Sequence, residues 1–393
     1  MLLNLNIFFV IALIVVISKI VSIFLRKFNL PPFITVVLFG ILLTSLKFGG
    51  FANEKDIEIL KILASVGMFI LIFFSGLEID TYSLRKISRN SFLISLVGVI
   101  FAFMFGFVTT YLFTKNLSLS LVLGVIFSTS SASVSTITLY KLDKLRTVEG
   151  NTIRNVSIIG DLTSILILSI IAGVVSNKTF LMKDIIIILS INLVVFLAIF
   201  ALIILILPKL LNYFSFIKVE YIYFGIGLLF LFVFLFFIGE INSFTVLSAY
   251  FAGVFLSKSD FKSKLEEIIS ILQFVFVPIF FIFIGMQLKF TNLNYMLLLY
   301  ILVLVTSAFI SKIIGSGIVA KMVGFDLKRS IRIGVGVTPR GEIALIIAFI
   351  IYHYKNISLI GDAEFIVVVL IVIITIFASR NILRILFLNK RKK

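Results

Sequence analysis

Residues 334–342 form a polar interruption inside a long apolar segment, and they read Gly-Val-Gly-Val-Thr-Pro-Arg-Gly-Glu. The surrounding segment, from about residue 330 to about residue 354, is long enough to cross a bilayer, which takes about 20 apolar residues. Pro339 lacks a backbone N–H group, and the glycines loosen the turns beside it. We therefore predict a membrane helix that breaks near Pro339 and then continues.

A second interruption lies in the other half of the chain. Residues 128–136 read Ser-Thr-Ser-Ser-Ala-Ser-Val-Ser-Thr, which is an unusual density of hydroxyls for a membrane helix. Such residues often sit at helix–helix contacts, but they can also replace backbone hydrogen bonds where a helix unwinds. Two interrupted helices in different halves of a chain indicate a site near the membrane midplane, between structural repeats.

The composition supports this membrane assignment. Of the 393 residues, 61% are hydrophobic and 13% charged, whereas soluble domains have about 45–50% and about 25%. The fold class is therefore an all-α polytopic membrane protein, and we count about thirteen transmembrane helices. The expected spans are 3–25, 32–48, 57–77, 91–114, 117–140, 152–176, 182–207, 220–239, 242–257, 268–288, 293–320, 330–354 and 362–387.

The distribution of Lys and Arg sets the orientation. The net charge is +17, but the basic residues form short clusters between apolar runs, so we expect no nucleic-acid partner. Alternate loops differ by about three to one in basic residues, and such residues stay in the cytoplasm. We expect a multi-pass protein of the cell membrane, with its N-terminus outside and its C-terminus in the cytoplasm.

Composition also narrows the chemistry. Cysteine is absent and histidine occurs only as His353, so thiolate chemistry and multi-histidine metal clusters are excluded. No Gly-x-Gly-x-x-Gly follows a strand pattern, and we expect neither a cofactor nor an enzymatic activity.

Four ionisable residues lie deep in the expected spans, and ionisable groups inside a membrane usually mark functional sites. They are Asp161, Lys312, Arg340 and Glu342. Asp161 can hold either a proton or a cation such as Na⁺, although a neutral Asp that only packs helices is the alternative. Hard cations prefer oxygen ligands. The candidate hydroxyl ligands beside Asp161 are Ser157, one helical turn earlier, and Thr129, Ser130, Ser131 and Ser133 of the interruption.

The other three charges are expected to support the site. Arg340 and Glu342 cannot face each other on an intact helix; on a broken helix they can pair, or each can find another partner. Lys312 lies in mid-span and requires a carboxylate, a helix C-terminus or deprotonation.

Taken in order, these segments resemble the monovalent cation:proton antiporter-2 family, which includes Na⁺/H⁺ and Kef-type K⁺/H⁺ antiporters. The resemblance covers nearly the whole chain, and its most specific segment is Pro-Arg-Gly-Glu at 339–342. Other matching segments are 74–80 at the end of the third span, the hydroxyl-rich fifth span, Asp161, the segment 278–286, and Lys312 followed by Gly315.

The resemblance implies an antiporter fold of the NhaA type, with inverted repeats and two crossing broken helices, and a homodimer. Residues 91–176 and 293–387 would form the core, or transport, helices. Residues 1–90 and 220–288 would form the scaffold and dimerisation helices, and 182–207 a linker helix. By similarity, Asp161 would carry Na⁺, with Li⁺ and K⁺ as alternative ions, in exchange for protons by alternating access.

This chain departs from the family pattern at Gly160, where many relatives place Asp or Asn. Where that residue is a carboxylate, it is thought to bridge to the lysine that matches Lys312, and Gly160 cannot form this bridge. We therefore expect electroneutral exchange of one Na⁺ for one H⁺. The alternative is electrogenic exchange, in which Lys312 releases a second proton whenever Na⁺ binds.

Three rival functions are open at this stage. The first is K⁺/H⁺ antiport of the Kef type. The second is an intramembrane aspartyl protease, because Gly160 and Asp161 match part of the Gly-x-Gly-Asp motif of that family. A protease of that family needs two catalytic carboxylates. Only one Asp lies deep in a span of this chain, so the sequence does not supply the second. The third is a channel, which would show a selectivity ring rather than a titratable carrier site.

Overall fold

The computed structural model describes residues 15–21, 23, 31–45, 54–78, 88–176, 249–250, 252–254, 256–257, 262–288, 295–353 and 360–388. The described chain is helical. Its helices are α1 (Pro32–Ser45), α2 (Glu54–Leu77), α3 (Arg89–Thr114), α4 (Leu117–Ser128), α5 (Ala132–Lys141), α6 (Val148–Ser176), α7 (Lys262–Met286), α8 (Tyr295–Met322), α9 (Leu327–Gly336), α10 (Glu342–His353) and α11 (Asp362–Leu388).

Six described helical segments are long and apolar enough to cross a membrane. They are 55–77, 89–114, 117–141, 262–286, 295–322 and 362–388. The expected spans 182–207 and 220–239 lie outside the described residues, and 242–257 is described only in part, with helical turns at 249–250 and 252–254. Helix α7 begins at Lys262 rather than near 268, because an ion pair between Lys262 and Glu266 (3.5 Å) supports a polar first turn.

Side-chain caps define several helix ends. The Ser88 hydroxyl accepts a hydrogen bond from the Ser91 N–H (3.1 Å) at the start of α3. Asn116 caps α4 in the same way, through the N–H of Leu119 (3.1 Å). Lys115 takes a left-handed conformation (φ 53°), so α3 and α4 are joined by a connection of two residues.

The chain divides into two compact units, which consist of 1–85 with 172–289 and of 86–171 with 290–393. In the first unit, α7 packs against α1 and α2. Gly40 and Gly285 allow α1 and α7 to approach closely, since a Cβ on Gly40 would lie 2.9 Å from the Gly285 Cα. The Thr44 hydroxyl donates to the Met286 carbonyl (3.0 Å) at the same contact.

In the second unit, α3 packs against both α4 and α8, and α8 also contacts α9 and α11. Its fully buried side chains include Ile94, Leu139, Ile153 and Ile333, which share one apolar cluster. Two predicted spans are each divided in this unit: the fifth into α4 and α5, and the twelfth into α9 and α10. Both predicted interruptions are thus confirmed as breaks in the helices.

Candidate functional site

The first break leaves three residues, 129–131, between α4 and α5. Unwinding deprives the end of α4 of backbone partners, and hydroxyls replace part of what is lost. The Ser128 hydroxyl donates to the Val125 carbonyl (2.6 Å), and the Thr129 hydroxyl to the Ile126 carbonyl (2.8 Å). Ser131 caps α5 by accepting from the Val134 N–H (3.3 Å). The hydroxyl density seen in the sequence therefore serves the break itself.

Asp161 lies on α6 and faces this break. Its Oδ1 accepts a hydrogen bond from the backbone N–H of Ser130 (3.2 Å), just before the first turn of α5. The carboxylate therefore sits at the positive end of a helix dipole, which favours negative charge. Ser130 is buried, with 2% of its surface exposed, whereas Asp161 is partly exposed. A partly exposed carboxylate that accepts from backbone N–H groups still has oxygen lone pairs left for a proton or a cation.

Lys312 reaches the other end of the break from α8. Its Nζ donates to the Ser128 carbonyl (2.8 Å) and to the Ser130 hydroxyl (3.0 Å). Of the three environments expected for Lys312, the structure shows the C-terminal end of a helix, where positive charge is favourable. Among the described residues, the buried Lys312 ammonium forms no ion pair within 4 Å of a carboxylate.

Ser130 links these two charges. Its hydroxyl accepts from Lys312, and its backbone N–H donates to Asp161. A Cβ on Gly160 would lie 3.2 Å from the same hydroxyl. The position that precedes Asp161 thus borders Ser130, and the Ser130 hydroxyl occupies part of the space between Gly160 and Lys312.

The second break separates α9 from α10 and contains Pro339, as the sequence predicts. Arg340 is fully buried there (0% exposed). Its guanidinium donates to the Ala308 carbonyl on α8 (3.2 Å) and to the Thr338 carbonyl, while its backbone N–H donates to the Thr375 hydroxyl (3.3 Å). Arg340 therefore joins the Thr338 carbonyl in the second break to the Ala308 carbonyl inside the unbroken helix α8.

The two breaks are hydrogen-bonded to each other. The Ser131 N–H donates to the Pro339 carbonyl (2.8 Å), and the Ser135 hydroxyl donates to the Gly336 carbonyl (2.6 Å). Gly341 permits this approach, because a Cβ there would lie 2.6 Å from the Ser131 hydroxyl oxygen. The interrupted segments therefore meet at a single place in the second unit.

Arg340 and Glu342 do not pair with each other. The Glu342 carboxylate accepts a hydrogen bond from the Ser133 hydroxyl (3.2 Å to Oε1), and the guanidinium of Arg340 is used by carbonyls. Of the alternatives left open by the sequence, the structure shows separate partners. Glu342 is partly exposed and is the first residue of α10. Its carboxylate therefore lies at the N-terminal end of the helix that follows the second break, as the Asp161 carboxylate lies at the N-terminal end of α5 after the first break.

The structure brings most of the predicted site residues together, but in different roles. Asp161, Ser130 and Lys312 form one hydrogen-bonded chain, and Ser133 belongs to Glu342. The Thr129 hydroxyl is bonded within its own helix. Ser157 is fully buried one turn before Asp161, and its hydroxyl has no hydrogen-bond partner among the described residues.

Sequence reasoning missed a buried ion pair between Glu149 and Arg332 (3.1 Å). Arg332 also donates to the Leu386 carbonyl (2.8 Å) and lies over the Phe387 ring (4.4 Å). The pair joins the start of α6, the middle of α9 and the end of α11. Both charges lie near the ends of apolar segments, where they are indistinguishable from ordinary flanking charges.

The donor set limits the cation that this site can bind. The described residues contain no group of three or more His, Cys, Asp or Glu side chains. Among the described residues, Asp161 is therefore not part of a carboxylate, histidine or cysteine cluster of the kind that holds zinc or a transition metal. One carboxylate that accepts either a proton or a monovalent cation is the chemical requirement for exchange.

Comparison with known proteins agrees with this chemistry. The Na⁺/H⁺-K⁺ antiporter GerN of Bacillus cereus is 29% identical over 391 residues, which cover 98% of this chain and 97% of GerN. A Na⁺/H⁺ antiporter of Enterococcus hirae is 28% identical over 344 residues, 86% of this chain and 88% of that protein.

A solved structure shares the fold. The sodium proton antiporter MjNhaP1 of Methanocaldococcus jannaschii at pH 8 superposes with a TM-score of 0.73, at 12% identity, over 98% of this chain and 99% of that chain. The profile of the family described as "Sodium/hydrogen exchanger, transmembrane" matches residues 10–387. This chain, an integral membrane protein with several spans, therefore belongs to the transmembrane sodium/hydrogen exchanger family.

Proposed function

We propose that this protein is a secondary active Na⁺/H⁺ antiporter that works by alternating access around Asp161. The observation that carries the proposal is the position of Asp161, a partly exposed carboxylate at the N-terminal end of the half-helix α5. Membership of the exchanger family and the names of GerN and its relative from Enterococcus hirae support the same reaction. A transporter of this family is not an enzyme, which leaves the protease alternative without support.

The proposed cycle needs only one titrating group. Protonated Asp161 is neutral, and so is the complex of ionised Asp161 with Na⁺, so both loaded states present the same charge to the membrane. The empty, ionised state exposes an uncompensated carboxylate, which is costly to carry through a low-dielectric environment. The site around Asp161 therefore switches between the two sides of the membrane only when Asp161 holds a proton or Na⁺. The result is coupled exchange rather than uncoupled flow of either ion.

Oxygen atoms around Asp161 supply the proposed ligands. Ser130 and Ser157 are the first candidates, because the Ser130 N–H contacts the carboxylate and the buried Ser157 hydroxyl, one turn earlier on α6, has no hydrogen-bond partner among the described residues. We assign Thr129, Ser131 and Ser133 to the surrounding shell of oxygens. Lys312 and Arg340 hold the two breaks in shape, and Glu342 occupies the equivalent place at the second break.

For the architecture we propose about thirteen transmembrane helices in inverted repeats of the NhaA type, with the α4–α5 and α9–α10 segments as the crossing helices. Residues 91–176 and 293–387 would move as the core, while 1–90 and 220–288 form the scaffold and the homodimer surface, joined by the linker 182–207. The separation of 86–171 and 290–393 as one compact unit supports this division.

We further propose that the protein lies in the cell membrane with its N-terminus outside and its C-terminus in the cytoplasm. The excess of Lys and Arg in alternate loops supports this orientation.

K⁺/H⁺ exchange is the second candidate, because GerN is named as a Na⁺/H⁺-K⁺ antiporter and matches almost the whole chain. Li⁺ belongs in the same comparison, since it also carries a single charge and binds oxygen ligands. Parallel assays with Na⁺, Li⁺ and K⁺ separate these substrates. Equal rates with K⁺ and Na⁺ would make the Kef-type activity part of the function.

The decisive experiment is Asp161→Asn in proteoliposomes with an acidic interior. External Na⁺ should dissipate the pH gradient of the wild type and leave that of Asp161→Asn intact, because Asn can neither release a proton nor neutralise a cation. Asp143→Asn is the matched control, since Asp143 is exposed and its left-handed conformation (φ 53°) accommodates Asn. Retained exchange by folded Asp161→Asn would refute the carrier role of Asp161.

A further inference from the structure

A cavity of about 710 Å³ lies in the second unit, beside the first turns of α3 and α6. Its volume falls in the range of about 300–1,000 Å³ that is usual for ligand sites. The polar side chains in its lining that could hold a ligand are Asn90, Arg146, Asn151, Arg154 and Asn155. None of them belongs to either break, so the cavity is distinct from the site around Asp161.

The cavity carries positive charge without a compensating carboxylate in its lining. Arg146 and Arg154 contribute two guanidinium groups, and none of the described residues that line the cavity is Asp or Glu. Glu149, the acidic residue in this stretch, is buried and paired with Arg332 on another helix (3.1 Å). Its charge is therefore neutralised outside the cavity, and the two arginines are left for another anion.

The arginine side chains are suited to a phosphate group. A guanidinium group offers a planar fork of N–H donors that matches two oxygens of one phosphate. Arg154 is oriented by a hydrogen bond from its Nη2 to the Asn151 Oδ1 (3.2 Å), while Arg146 is exposed at the rim. Asn90 and Asn155 add amide donors to the same space.

The N-termini of α3 and α6 contribute only the positive ends of their helix dipoles. The Ser88 hydroxyl already accepts from the Ser91 N–H (3.1 Å), and the Thr147 hydroxyl from the Gly150 N–H (3.1 Å). Part of the backbone donors is thus satisfied within the protein. Recognition of a ligand falls to the side chains, and above all to the two arginines.

We propose that this cavity binds a phosphate-bearing anion, either the headgroup of an anionic phospholipid or a soluble phosphate. The ligand bridges the start of α3 and the start of α6, which is the helix that carries Asp161. Because the cavity is separate from the breaks, its occupancy is independent of whether the protein exchanges Na⁺ for H⁺. The expected readout is therefore the stability of the protein, which requires no transport.

The experiment uses the full-length protein in nanodiscs and measures its melting temperature. In one arm, inorganic phosphate is titrated into phosphatidylcholine nanodiscs against NaCl of equal ionic strength. In the other arm, phosphatidylglycerol replaces part of the phosphatidylcholine. A rise in the first arm identifies a soluble phosphate as ligand, and a rise in the second arm alone identifies a lipid headgroup.

Variants show whether the stabilisation comes from this cavity. Arg146→Gln with Arg154→Gln should weaken the apparent affinity about tenfold or more, since both charge-assisted contacts are lost. The matched control is Lys321→Gln with Lys328→Gln, which removes two exposed charges outside the lining and should change the affinity less than about twofold.

Arg146→Gln alone covers the case in which the double variant does not fold, because Arg146 is exposed. The proposal is overturned if neither arm raises the melting temperature of the wild type. It is equally overturned if the arginine and lysine variants lose stabilisation to the same extent, since that would indicate screening of charge rather than a site.

Discussion

The hydrogen bond between Lys312 and Ser130 allows the sharpest prediction. Lys312 has two acceptors, the Ser128 carbonyl at 2.8 Å and the Ser130 hydroxyl at 3.0 Å. Ser130→Ala removes the second and leaves the backbone N–H that donates to Asp161. Hydrogen bonds to charged groups contribute about 1.5–3 kcal/mol, so the free energy of unfolding should fall by that amount. The folding equilibrium constant would then drop by a factor of about 10 to 150.

Ser128→Ala is the matched control at the same break. Its hydroxyl contacts only neutral groups, the Val125 carbonyl and the Ser164 hydroxyl, and its own carbonyl still accepts from Lys312. The expected cost is about 0.5–1.5 kcal/mol, the range for neutral hydrogen bonds. Unfolding by SDS in mixed micelles, followed by far-UV circular dichroism, measures both variants without the tryptophan that this chain lacks.

A double-mutant cycle with Lys312→Met isolates the pairwise interaction. In the Lys312→Met background, Ser130→Ala should lower the free energy of unfolding only slightly, because the ammonium group that donates to the Ser130 hydroxyl is absent. An equal cost of Ser130→Ala in that background and in the wild type would refute the interaction. A cost no larger than that of Ser128→Ala would refute it as well.

Three further predictions concern ion competition, the second break and charge balance. If protons and Na⁺ compete for Asp161, the apparent KM for Na⁺ in vesicles should rise as pH falls from about 9 to about 6, at nearly constant maximal rate; a flat KM would indicate separate sites. Arg340→Ala should reduce the free energy of unfolding by about 3–6 kcal/mol, because two charge-assisted bonds to carbonyls are lost, whereas Glu342→Gln should cost less than about 1.5 kcal/mol. Equal losses, read in the same SDS titration, would mean that the two act as an ion pair. Exchange should be electroneutral, and a rate that changes about twofold or more under an imposed membrane potential would make Lys312 a second proton carrier.

The positions of the two breaks could be predicted because their causes are local. Pro339 removes a backbone donor at its own position, and residues 128–136 carry enough hydroxyls to replace backbone partners. The first break falls at 129–131 and the second at 337–341, inside the two segments singled out by the sequence. Asp161 is singled out because a carboxylate among apolar residues has few ordinary explanations. The structure places it against the first break, and its role in transport stays a prediction.

The partners of the charges could not be predicted in the same way. Lys312 meets Ser128, which is 184 residues away in the chain, and no local pattern specifies that contact. The sequence left several partners open for Arg340. Of the two carbonyls that its guanidinium contacts, Thr338 lies in the second break and Ala308 lies inside the unbroken helix α8, and no local pattern specifies this pair. Glu149 and Arg332 escaped notice because each resembles a charge at the end of a span.

The contact between the breaks also has a consequence for biogenesis. The Ser135 hydroxyl bonds to the Gly336 carbonyl across 201 residues of sequence. At a synthesis rate of about 5–20 residues per second, the second partner leaves the ribosome about 10–40 s after the first. During that interval the unwound residues of the first break and Asp161 are without Lys312 and Pro339.

The nascent first half must therefore enter the membrane with unpaired polar groups, which lipid penalises heavily. Until the chain is nearly complete, the polar groups of residues 128–136 need other hydrogen-bond partners. Water, the insertion machinery or a transient unbroken helix can supply them. We therefore expect the contacts between the two breaks to form late in synthesis and in one cooperative step. Chains truncated before residue 312 should be degraded by membrane-protein quality control.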